Sequence, residues 1–477
     1  MPLLRQIALR VTRAAVALTF LVLPACADAQ TVRVWLTTGD RTKSMEAQAA
    51  LAFTRGTPAS DAIVVDQSRV YQEIEGFGAS FTDSAAYLLN HVASAATREA
   101  VMRRLFTRSG EGIGLGFIRN PMGASDLART HYSYDDLPAG QTDPQLVHFS
   151  IAHDEVDIIP LVRQARALNP SLRIMATPWS PPGWMKTSGT LIGGALRPDM
   201  RGPFAQYFIK YLQAYKAAGI PVDYISLQNE PLYVPANYPG MSMDGETQRD
   251  VLRDFVLPAL AGSGLATHVL VYDHNWDRPD YPETVFADPV LAASSVIAGT
   301  AWHGYGGTPE AMAKVRERFP SKGAYQTEHS GGTWVTDQLR EDFDEIINVL
   351  RNDGRAFVKW SLVLDEHRGP FSGGCDTCSP LVTVGADGSA VNTVDFYTLG
   401  HFSRFMLAGA RRIASTNIDG IAAVAALNPD GSIALVAFND TLLRRTFAIR
   451  WGELSFTYTL AGHSGATFTW NGTPQMN

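Results

Sequence analysis

The sequence predicts an α/β protein, a (β/α)8 barrel with an associated antiparallel β-sandwich module. Two observations support this. From Gly76 onward, short apolar strands alternate with amphipathic helical segments, and eight such strands can be counted. After about Leu407 the chain instead has strand-like stretches separated by turn signals such as Asn-Pro-Asp-Gly. An open doubly wound sheet is disfavoured because such sheets usually carry a Gly-rich dinucleotide turn.

The predicted barrel strands are apolar runs that end in polar residues. They are Glu75–Ala79, Gly114–Arg119, Arg173–Thr177, Tyr224–Asn229, Val269–Tyr272, Val296–Trp302, Ala324–Glu328 and Phe357–Leu362. Between the third and fourth, Pro203–Ala218 carries aromatic and apolar residues at helical spacing, which predicts one buried helix face. Glu341–Leu350 repeats this pattern over a shorter length.

Four regions follow from these patterns. Residues 1–29 are a predicted signal peptide, 30–74 contribute N-terminal strands to the β module, 75–405 form the barrel, and 406–477 form the C-terminal part of the sandwich. The two terminal segments flank the barrel, so we expect them to form one module together.

The N-terminus has the pattern of an exported protein. Arg5, Arg10 and Arg13 precede an apolar run, and small-residue cleavage sites follow within the predicted leader. The apolar run of about ten residues is too short to span a bilayer, and Pro24 weakens a lipid anchor at Cys26. We therefore expect a secreted or periplasmic protein without an integral membrane segment.

Composition narrows the classes of partner. The chain of 477 residues has a net charge of −7 and no long basic run, which argues against nucleic acid and anionic membranes as partners. Its oligomeric state is not indicated. Once the leader is removed, Cys375 and Cys378 remain. With no second cysteine pair to complete a metal site, and no helix start to favour a redox motif, a short-loop disulfide is the preferred reading outside the cytoplasm.

Polar residues gather at the predicted C-terminal ends of the barrel strands, where barrel enzymes place their active sites. Glu230 and Glu328 end the fourth and seventh strands. Glycoside hydrolysis needs two carboxyl groups, one to protonate the leaving oxygen and one to attack or to activate water. Further candidates at the same face provide hydrogen-bonding groups and aromatic surfaces for a sugar: Arg119, Asp126, Trp179, Asn229, His303, Tyr305 and Trp360.

Each of these residues also has an ordinary structural explanation. A single glutamate after a strand is more often a loop or salt-bridge residue, a lone tryptophan is more often part of a core, and His303 without a second histidine is a weak metal ligand. The convergence of two glutamates, an asparagine and several aromatic residues on separate strands favours a carbohydrate-active hydrolase.

Several stretches resemble glycoside hydrolase family 30, the family of lysosomal acid β-glucosidase (glucosylceramidase) and its bacterial relatives. They occur in the family's order: EGFGASFTDSAA (75–86), GIGLGFIRNPMGASDL (112–127), ATPWSPPGWMKTSG (176–189), QNEP (228–231), AWHGYG (301–306), YQTEHSGG (325–332), KWSLVLDEHRGP (359–370) and FYTLGHFSRF (396–405). Asn-Glu-Pro alone is common among barrel glycosidases, whereas the whole set is specific.

The resemblance implies a role for each candidate residue. Glu230 resembles the acid/base and Glu328 the nucleophile of a retaining β-glycosidase, which needs neither a metal nor an organic cofactor. Asn229 resembles the residue that binds the sugar 2-hydroxyl, and Arg119 the arginine that supports the carboxylates. The remaining matches belong to the sugar pocket: Asp126, Trp179, Tyr305 and Trp360.

The resemblance leaves the substrate open. We expect hydrolysis of β-glucosides, as by glucosylceramidases; the alternatives are an endo-β-1,6-glucanase or β-1,6-galactanase of the same family, and a carbohydrate-binding protein without catalysis. Gly304 stands where acid β-glucosidase has a bulky aromatic residue, which implies a more open site on that side. The loop 232–241 and the Cys375–Cys378 insertion also differ from that enzyme, and such loops shape the leaving-group side.

Overall fold

The computed structural model describes residues 30–56 and 61–472. The predicted signal peptide at 1–29 and the candidate lipid-anchoring residue Cys26 lie outside them. Within the described residues, no helix combines the length and apolar character needed to cross a bilayer.

Eight parallel strands close into a barrel, which confirms the predicted fold class. In chain order the strands are Gly76–Ser80, Phe117–Pro121, Arg173–Thr177, Tyr224–Ile225, His268–Asn275, Ile297–His303, Gly323–His329 and Gly354–Lys359. The last strand pairs with the first, from Ala356 opposite Gly76 to Lys359 opposite Ala79, and this pairing completes the closure.

Several predicted strand boundaries were wrong. The fifth strand runs on to Asn275 rather than ending at Tyr272, and the eighth spans Gly354–Lys359 rather than Phe357–Leu362. The second and fourth strands also differ. The second strand begins at Phe117 rather than Gly114, since Gly114 has a φ of +63°. The fourth strand ends at Ile225 rather than Asn229, and Glu230 has a φ of +45°. Gly114 therefore does not begin a regular strand, and the Glu230 carboxylate is presented from a turn beyond the end of the fourth strand.

Helices surround the barrel strands. The two that were predicted by spacing are present as Arg201–Ala217 and Gln338–Arg351. The other α-helices are Asp83–Tyr87, Ala95–Phe106, Ala152–Val156, Ile158–Leu168, Gly245–Val251, Leu257–Ser263, Asp280–Phe286, Pro289–Ala293, Glu310–Arg318 and Val394–Ser403. Short π-helical segments occupy Leu88–Val92 and Leu252–Val256, and 3₁₀ turns occupy Gly183–Met185 and Pro198–Met200.

The second module is a single eleven-stranded sheet built from both ends of the chain, as expected. Its strands are Thr31–Thr38, Glu46–Ala47, Leu51–Ala52, Thr54–Arg55, Ala62–Ile74, Ala410–Ser415, Ile421–Leu427, Ser432–Asn439, Arg445–Trp451, Leu454–Leu460 and Ser464–Asn471. The pairing is antiparallel except between Ala62–Ile74 and Arg445–Trp451, which run parallel. The sheet is therefore mixed rather than purely antiparallel.

The two modules share a packed boundary. Phe343 of the barrel stacks on Phe438 of the sheet with ring centroids 5.0 Å apart. His401, on the last barrel helix, bonds Thr37 and Thr467 of the sheet at 2.8 and 2.7 Å. Burial lowers the pKa of His401 to about 3, so it stays neutral in this contact. The sheet thus braces the barrel on the side of its last helices.

After the eighth barrel strand, the chain forms a small three-stranded sheet before the final barrel helix. Its strands are Val363–Asp365, Val382–Val384 and Ala390–Asn392. The residues between the first two of these strands, 366–381, form a long loop above the barrel opening. Cys375 and Cys378 form a disulfide within it.

Candidate active site

Glu230 and Glu328 meet at the C-terminal end of the barrel. Glu328 belongs to the seventh strand, and Glu230 follows the fourth. A carboxylate oxygen of each lies within 4.8 Å of one of the other. Retaining glycosidases place their carboxyl groups about 5–5.5 Å apart, whereas inverting enzymes leave about 6.5–9.5 Å for a water molecule. The close approach fits direct attack by one carboxylate.

Arg119 joins the carboxylates to the barrel wall. Its side chain is fully buried and donates from Nη1 to Glu328 Oε2 at 2.6 Å. Its Nη2 donates to Asn229 Oδ1 at 2.6 Å and to Asp273 Oδ2 at 2.9 Å. A guanidinium with several such acceptors is rigidly oriented, so Arg119 fixes Glu328 and Asn229 relative to one another.

Asp273 is a site residue that the sequence reasoning missed. It accepts hydrogen bonds from Ser226 at 2.5 Å and from Thr327 at 2.7 Å. Although burial opposes it, the charge of Arg119 holds the pKa of Asp273 well below its usual range. The predicted fifth strand ended one residue earlier, at Tyr272. Asp273 is the polar residue directly after that apolar run, and this position was the signal that would have identified it.

His303 links Asp273 to the catalytic pair. Its Nε2 lies 3.0 Å from Asp273 Oδ1, and its Nδ1 lies 3.0 Å from Glu230 Oε1. Burial lowers the pKa of His303, but the charge of Glu328 and the contacts with Asp273 and Glu230 outweigh burial and raise the pKa to about 9. At neutral pH the ring is therefore an imidazolium that donates to both carboxylates.

The carboxyl groups of Glu230 and Glu328 titrate as a pair because they are so close. Burial raises the pKa of Glu328, more than the charges of His303 and Arg119 lower it. Burial alone would raise the pKa of Glu230, but the hydrogen bond and charge of His303 together with the charge of Arg119 outweigh burial and lower it. In the free site, the surroundings of the two carboxyl groups therefore do not by themselves place the shared proton on Glu230.

A cavity of about 400 Å³ opens above the two carboxylates. The sequence-predicted residues Asp126, Tyr305 and Trp360 line it, and Tyr305 donates to Glu328 Oε1 at 3.0 Å. Trp179 stacks on Trp360 with ring centroids 5.1 Å apart. The Arg119 guanidinium carbon lies 4.9 Å from the centroid of the Trp179 ring. All nine candidate residues thus lie in this cavity or in the layer that supports it.

Burial raises the pKa of Asp126 to about 7, and the charge of Glu328 adds to this rise. Its Oδ2 accepts a hydrogen bond from the Cys375 N–H at 3.2 Å. Its Oδ1 is buried and has no partner. A buried acceptor without a partner is unfavourable, so this oxygen is a strained point of the cavity wall.

Further lining residues come from loops that carry no secondary-structure periodicity, and the sequence pointed to only two of these loops, 232–241 and Cys375–Cys378, without assigning their residues to the cavity. They are Tyr233, Asn237, Tyr238, Ser330, Trp334, Gly374, Cys375 and Cys378. The four most exposed aromatic side chains of the described residues all follow barrel strands at this face: Tyr233, Tyr305, Trp334 and Phe371. Exposed aromatic surface clustered around one opening is typical of a ligand site.

Next to Gly304, the cavity is less open than the sequence predicted. A side chain at Gly304 would overlap Glu345, which already fills that space. Beyond it, Gly304, Trp276 and Trp334 line a second groove of about 610 Å³. Trp334 borders both spaces, so the groove continues from the catalytic cavity.

Two groups of side chains have metal-ligand atoms within 4.8 Å of one another among the described residues: Glu230, His303 and Glu328, and His329, Glu341 and Glu345. In the first group, the Glu328 carboxylate already accepts from Arg119 and Tyr305, the Glu230 carboxylate contacts His303, and His303 carries a proton at neutral pH. This donor set does not favour a cation. The expectation that the chemistry needs no cofactor remains a prediction.

A barrel that brings two adjacent carboxylates, a buried arginine and aromatic walls to one cavity defines a β-glycoside hydrolase. The glycosyl hydrolase family 30 TIM-barrel model matches residues 74–406, and the family 30 beta sandwich model matches residues 409–468. The chain therefore belongs to glycosyl hydrolase family 30, a family of retaining enzymes, as the resemblance implied.

Relatives within the family carry two kinds of name. An endo-1,6-β-D-glucanase of Trichoderma harzianum is 34% identical over 77% of this chain and 78% of its own length. The lysosomal acid glucosylceramidase of Mus musculus is 28% identical over 86% of this chain and 83% of its own length. A solved endo-β1,6-glucanase structure superposes with a TM-score of 0.85 at 30% identity, covering 93% of this chain and all of the other.

Proposed function

We propose that this chain is an exported endo-β-1,6-glucanase that cleaves β-1,6-linked glucan by retaining double displacement. We infer the substrate from two relatives: the Trichoderma harzianum enzyme and the solved structure with a TM-score of 0.85 are both named as endo-β-1,6-glucanases. This favours the alternative over the β-glucosidase or glucosylceramidase reading that the sequence first suggested.

In the first step, Glu328 attacks the anomeric carbon while Glu230 gives its proton to the leaving oxygen. The bond from carbon to the leaving oxygen breaks, and a covalent glycosyl ester of Glu328 forms. Arg119 and Tyr305 both donate to the Glu328 carboxylate. These contacts favour its ionised form and hold it in line for attack.

Glu230 must carry the proton when substrate is bound. The Glu230 side chain is 16% exposed in the free site, against 7% for Glu328. A glucan chain that covers the cavity removes this remaining water and raises the pKa of Glu230, whereas Glu328 keeps its contact with Arg119. Substrate binding therefore favours the protonation state that the first step needs.

In the second step, Glu230 takes a proton from water, and the resulting hydroxide attacks the anomeric carbon and releases Glu328. Two inversions give net retention. Asn229 is positioned by Arg119 at 2.6 Å to bind a hydroxyl next to the anomeric centre. We infer this role from the family resemblance together with that fixed orientation.

The aromatic rim supports a polymeric substrate. Tyr233 and Trp334 are 51% and 52% exposed, and they stand on different loops around the opening. A sugar ring presents an apolar face that packs on such rings. In an endo-acting enzyme these rings offer stacking surfaces for glucosyl units beyond the one that is cleaved.

Product analysis tests the proposal. The purified enzyme would be incubated with a linear β-1,6-glucan, a β-1,6-galactan, glucosylceramide and 4-nitrophenyl β-glucoside, with Glu328→Gln as the matched control. We expect β-1,6-linked oligosaccharides of several lengths from the glucan and retention of β-configuration in the first product. Release of glucose alone, or turnover of glucosylceramide without glucan cleavage, would return the assignment to an exo-β-glucosidase. Galactan cleavage without glucan cleavage would favour the galactanase alternative.

Export is part of the same proposal, because a glucan polymer is an extracellular substrate. We expect the protein to leave the cytoplasm with residues 1–29 removed. N-terminal sequencing of the exported protein checks this, and a mature N-terminus at Met1 in the cytoplasmic fraction would contradict it.

A further inference from the structure

The loop closed by the Cys375–Cys378 disulfide lies against the sugar-binding end of the cavity. Both cysteines line this cavity, and Cys378 packs in one cluster with Trp179, Trp360 and Leu127. The disulfide closes a loop of only a few residues, with a sequence separation of 3. It therefore shapes the local backbone at the cavity rather than tying distant parts of the chain together.

Asp126 is the residue that this loop touches most directly. The Cys375 N–H donates to Asp126 Oδ2 at 3.2 Å, and the Ser372 N–H donates to the Asp126 carbonyl at 2.9 Å. Gly374 has a φ of +71°, and any side chain there would overlap Asp126. The loop backbone is thus seated on Asp126, a residue that lines the cavity.

The disulfide segment is also bonded to the loop that follows the nucleophile and to Arg368, an earlier residue of the 366–381 loop. Thr333 donates its N–H to the Thr377 carbonyl at 3.1 Å, and Cys378 pairs with Gly332 through an isolated antiparallel bridge. Arg368 donates from Nη1 to the carbonyls of Thr377 and Cys378 at 3.0 and 3.1 Å. These bonds fix the disulfide loop against the loop that follows the nucleophile.

We propose that the Cys375–Cys378 loop is a positioning element for the reaction, which holds the Asp126 carboxylate in the orientation that accepts a hydroxyl of the bound glucosyl unit. The inference rests on the proposed hydrolase function of this cavity. Burial raises the pKa of Asp126 to about 7, and the Cys375 N–H works against that rise. The loop thereby keeps the charged, acceptor form of Asp126 accessible near neutral pH.

Opening the disulfide frees Cys375 to move and weakens its hydrogen bond to Asp126. A phosphine reductant such as tris(carboxyethyl)phosphine breaks the S–S bond to give two thiols, and it becomes the phosphine oxide by taking oxygen from water. The sequence contains three cysteines, of which Cys26 lies in the predicted leader. In the mature chain, reduction then acts on this bond alone.

The experiment compares four proteins, with and without reductant: the mature enzyme, the double variant Cys375→Ala/Cys378→Ala, Asp126→Ala, and the triple combination. The readouts are kcat and KM for β-1,6-glucan and the Kd of 1-deoxynojirimycin, a glucose-shaped cationic probe, by calorimetry. We expect reduction and the double variant each to weaken probe binding and kcat/KM by about 10- to 100-fold, the range for losing a hydrogen bond to a charged group. Reductant should have no effect on the double variant.

The Asp126→Ala background separates positioning from general stability. If the loop acts through Asp126, opening it in this background has little further effect, so the two changes are strongly non-additive. Unchanged kcat/KM and Kd after complete reduction, verified by thiol titration, would overturn the proposal, as would an equally large loss in the Asp126→Ala background. If the wild-type enzyme cleaves no glucan, the proposed substrate fails, while the Kd measurements still decide the role of the loop.

Discussion

Arg119 and Asp273 form a fully buried ion pair at the centre of the site, with Arg119 Nη2 2.9 Å from Asp273 Oδ2. The same guanidinium holds Glu328, so the charge on Arg119 is shared between a structural carboxylate and a catalytic one. The Arg119–Asp273 ion pair therefore positions the nucleophile. Both of its charges are buried, so each needs its charged and hydrogen-bonding neighbours in order to stay ionised inside the barrel.

Replacing Arg119 with methionine should therefore reduce stability as well as activity. It leaves the His303 imidazolium to face the buried carboxylates of Asp273 and Glu328 without the guanidinium, which we expect to lower the free energy of unfolding by about 3–5 kcal/mol. Denaturant unfolding measures this. Arg173→Met is the matched control, because the Arg173–Asp223 pair is 51% and 26% exposed and should contribute less than about 1 kcal/mol. Equal losses in the two variants would contradict the assigned role of Arg119.

Glu328→Gln should abolish formation of the glycosyl-enzyme. The amide cannot attack the anomeric carbon, so kcat is expected to fall by about 10⁴-fold or more, as when other covalent nucleophiles are removed. Mass spectrometry after incubation with a 2-deoxy-2-fluoro β-gentiobioside with a good leaving group measures the ester directly. The wild type should gain one glycosyl unit on the peptide that contains Glu328, and the variant none. Labelling at Glu230 instead would reverse the two roles.

Glu230→Gln should show a loss that depends on the leaving group. Protonation matters for a sugar leaving group, and we expect about a 10²- to 10⁴-fold decrease in kcat for β-1,6-glucan. A dinitrophenyl β-gentiobioside has a leaving group that departs without a proton, so its first step should be nearly unaffected. Pre-steady-state release of dinitrophenol measures this step. Equal losses for both substrates would exclude Glu230 as the acid.

The barrel and the two catalytic candidates could be predicted because they follow local rules. Apolar strands alternate with helices, and Glu230 and Glu328 stand where such strands end. Asp273 was missed because the predicted strand stopped at Tyr272, whereas the observed strand runs on to Asn275 through two residues with positive φ, Tyr272 and Asp273. The contact of Cys375 with Asp126 joins residues 249 positions apart, and no periodicity in the sequence encodes such a loop contact.

His303→Gln should move the pH profile of kcat/KM to higher pH. The pKa of His303 is about 9, so its positive charge lowers the pKa of both neighbouring carboxyl groups below that pH. Without this charge both pKa values rise, so the acidic and basic limbs, which belong to the coupled Glu230–Glu328 pair, both shift upward.

His274 provides the control for this profile. It lies 3.9 Å from Glu230 Oε1, and burial lowers its pKa, so it is neutral above its ordinary titration range. His274→Gln should leave the profile unchanged above about pH 6.5. If the pH profile of His303→Gln has the same acidic and basic limbs as that of the wild type, His303 carries no charge in the free enzyme.

Trp334→Ala should affect long substrates more than short ones. Trp334 is 52% exposed and borders both the catalytic cavity and the adjoining groove. Its ring lies against Gly332, where any side chain would overlap it, so the exposed indole is held in place. Removing a stacking surface of this kind should cost about 0.5–1.5 kcal/mol per sugar ring, or about 2- to 12-fold in kcat/KM.

The measurement is kcat/KM for β-1,6-linked glucose oligomers of increasing length. The wild type should gain from each added unit until the groove is filled, whereas Trp334→Ala should gain less at the unit that reaches the indole. Trp334→Phe is the matched variant, since it keeps an aromatic face, and it should recover most of the length dependence. A uniform decrease at all lengths in Trp334→Ala would assign the residue to the catalytic cavity alone, and an unchanged profile would remove Trp334 from the substrate path.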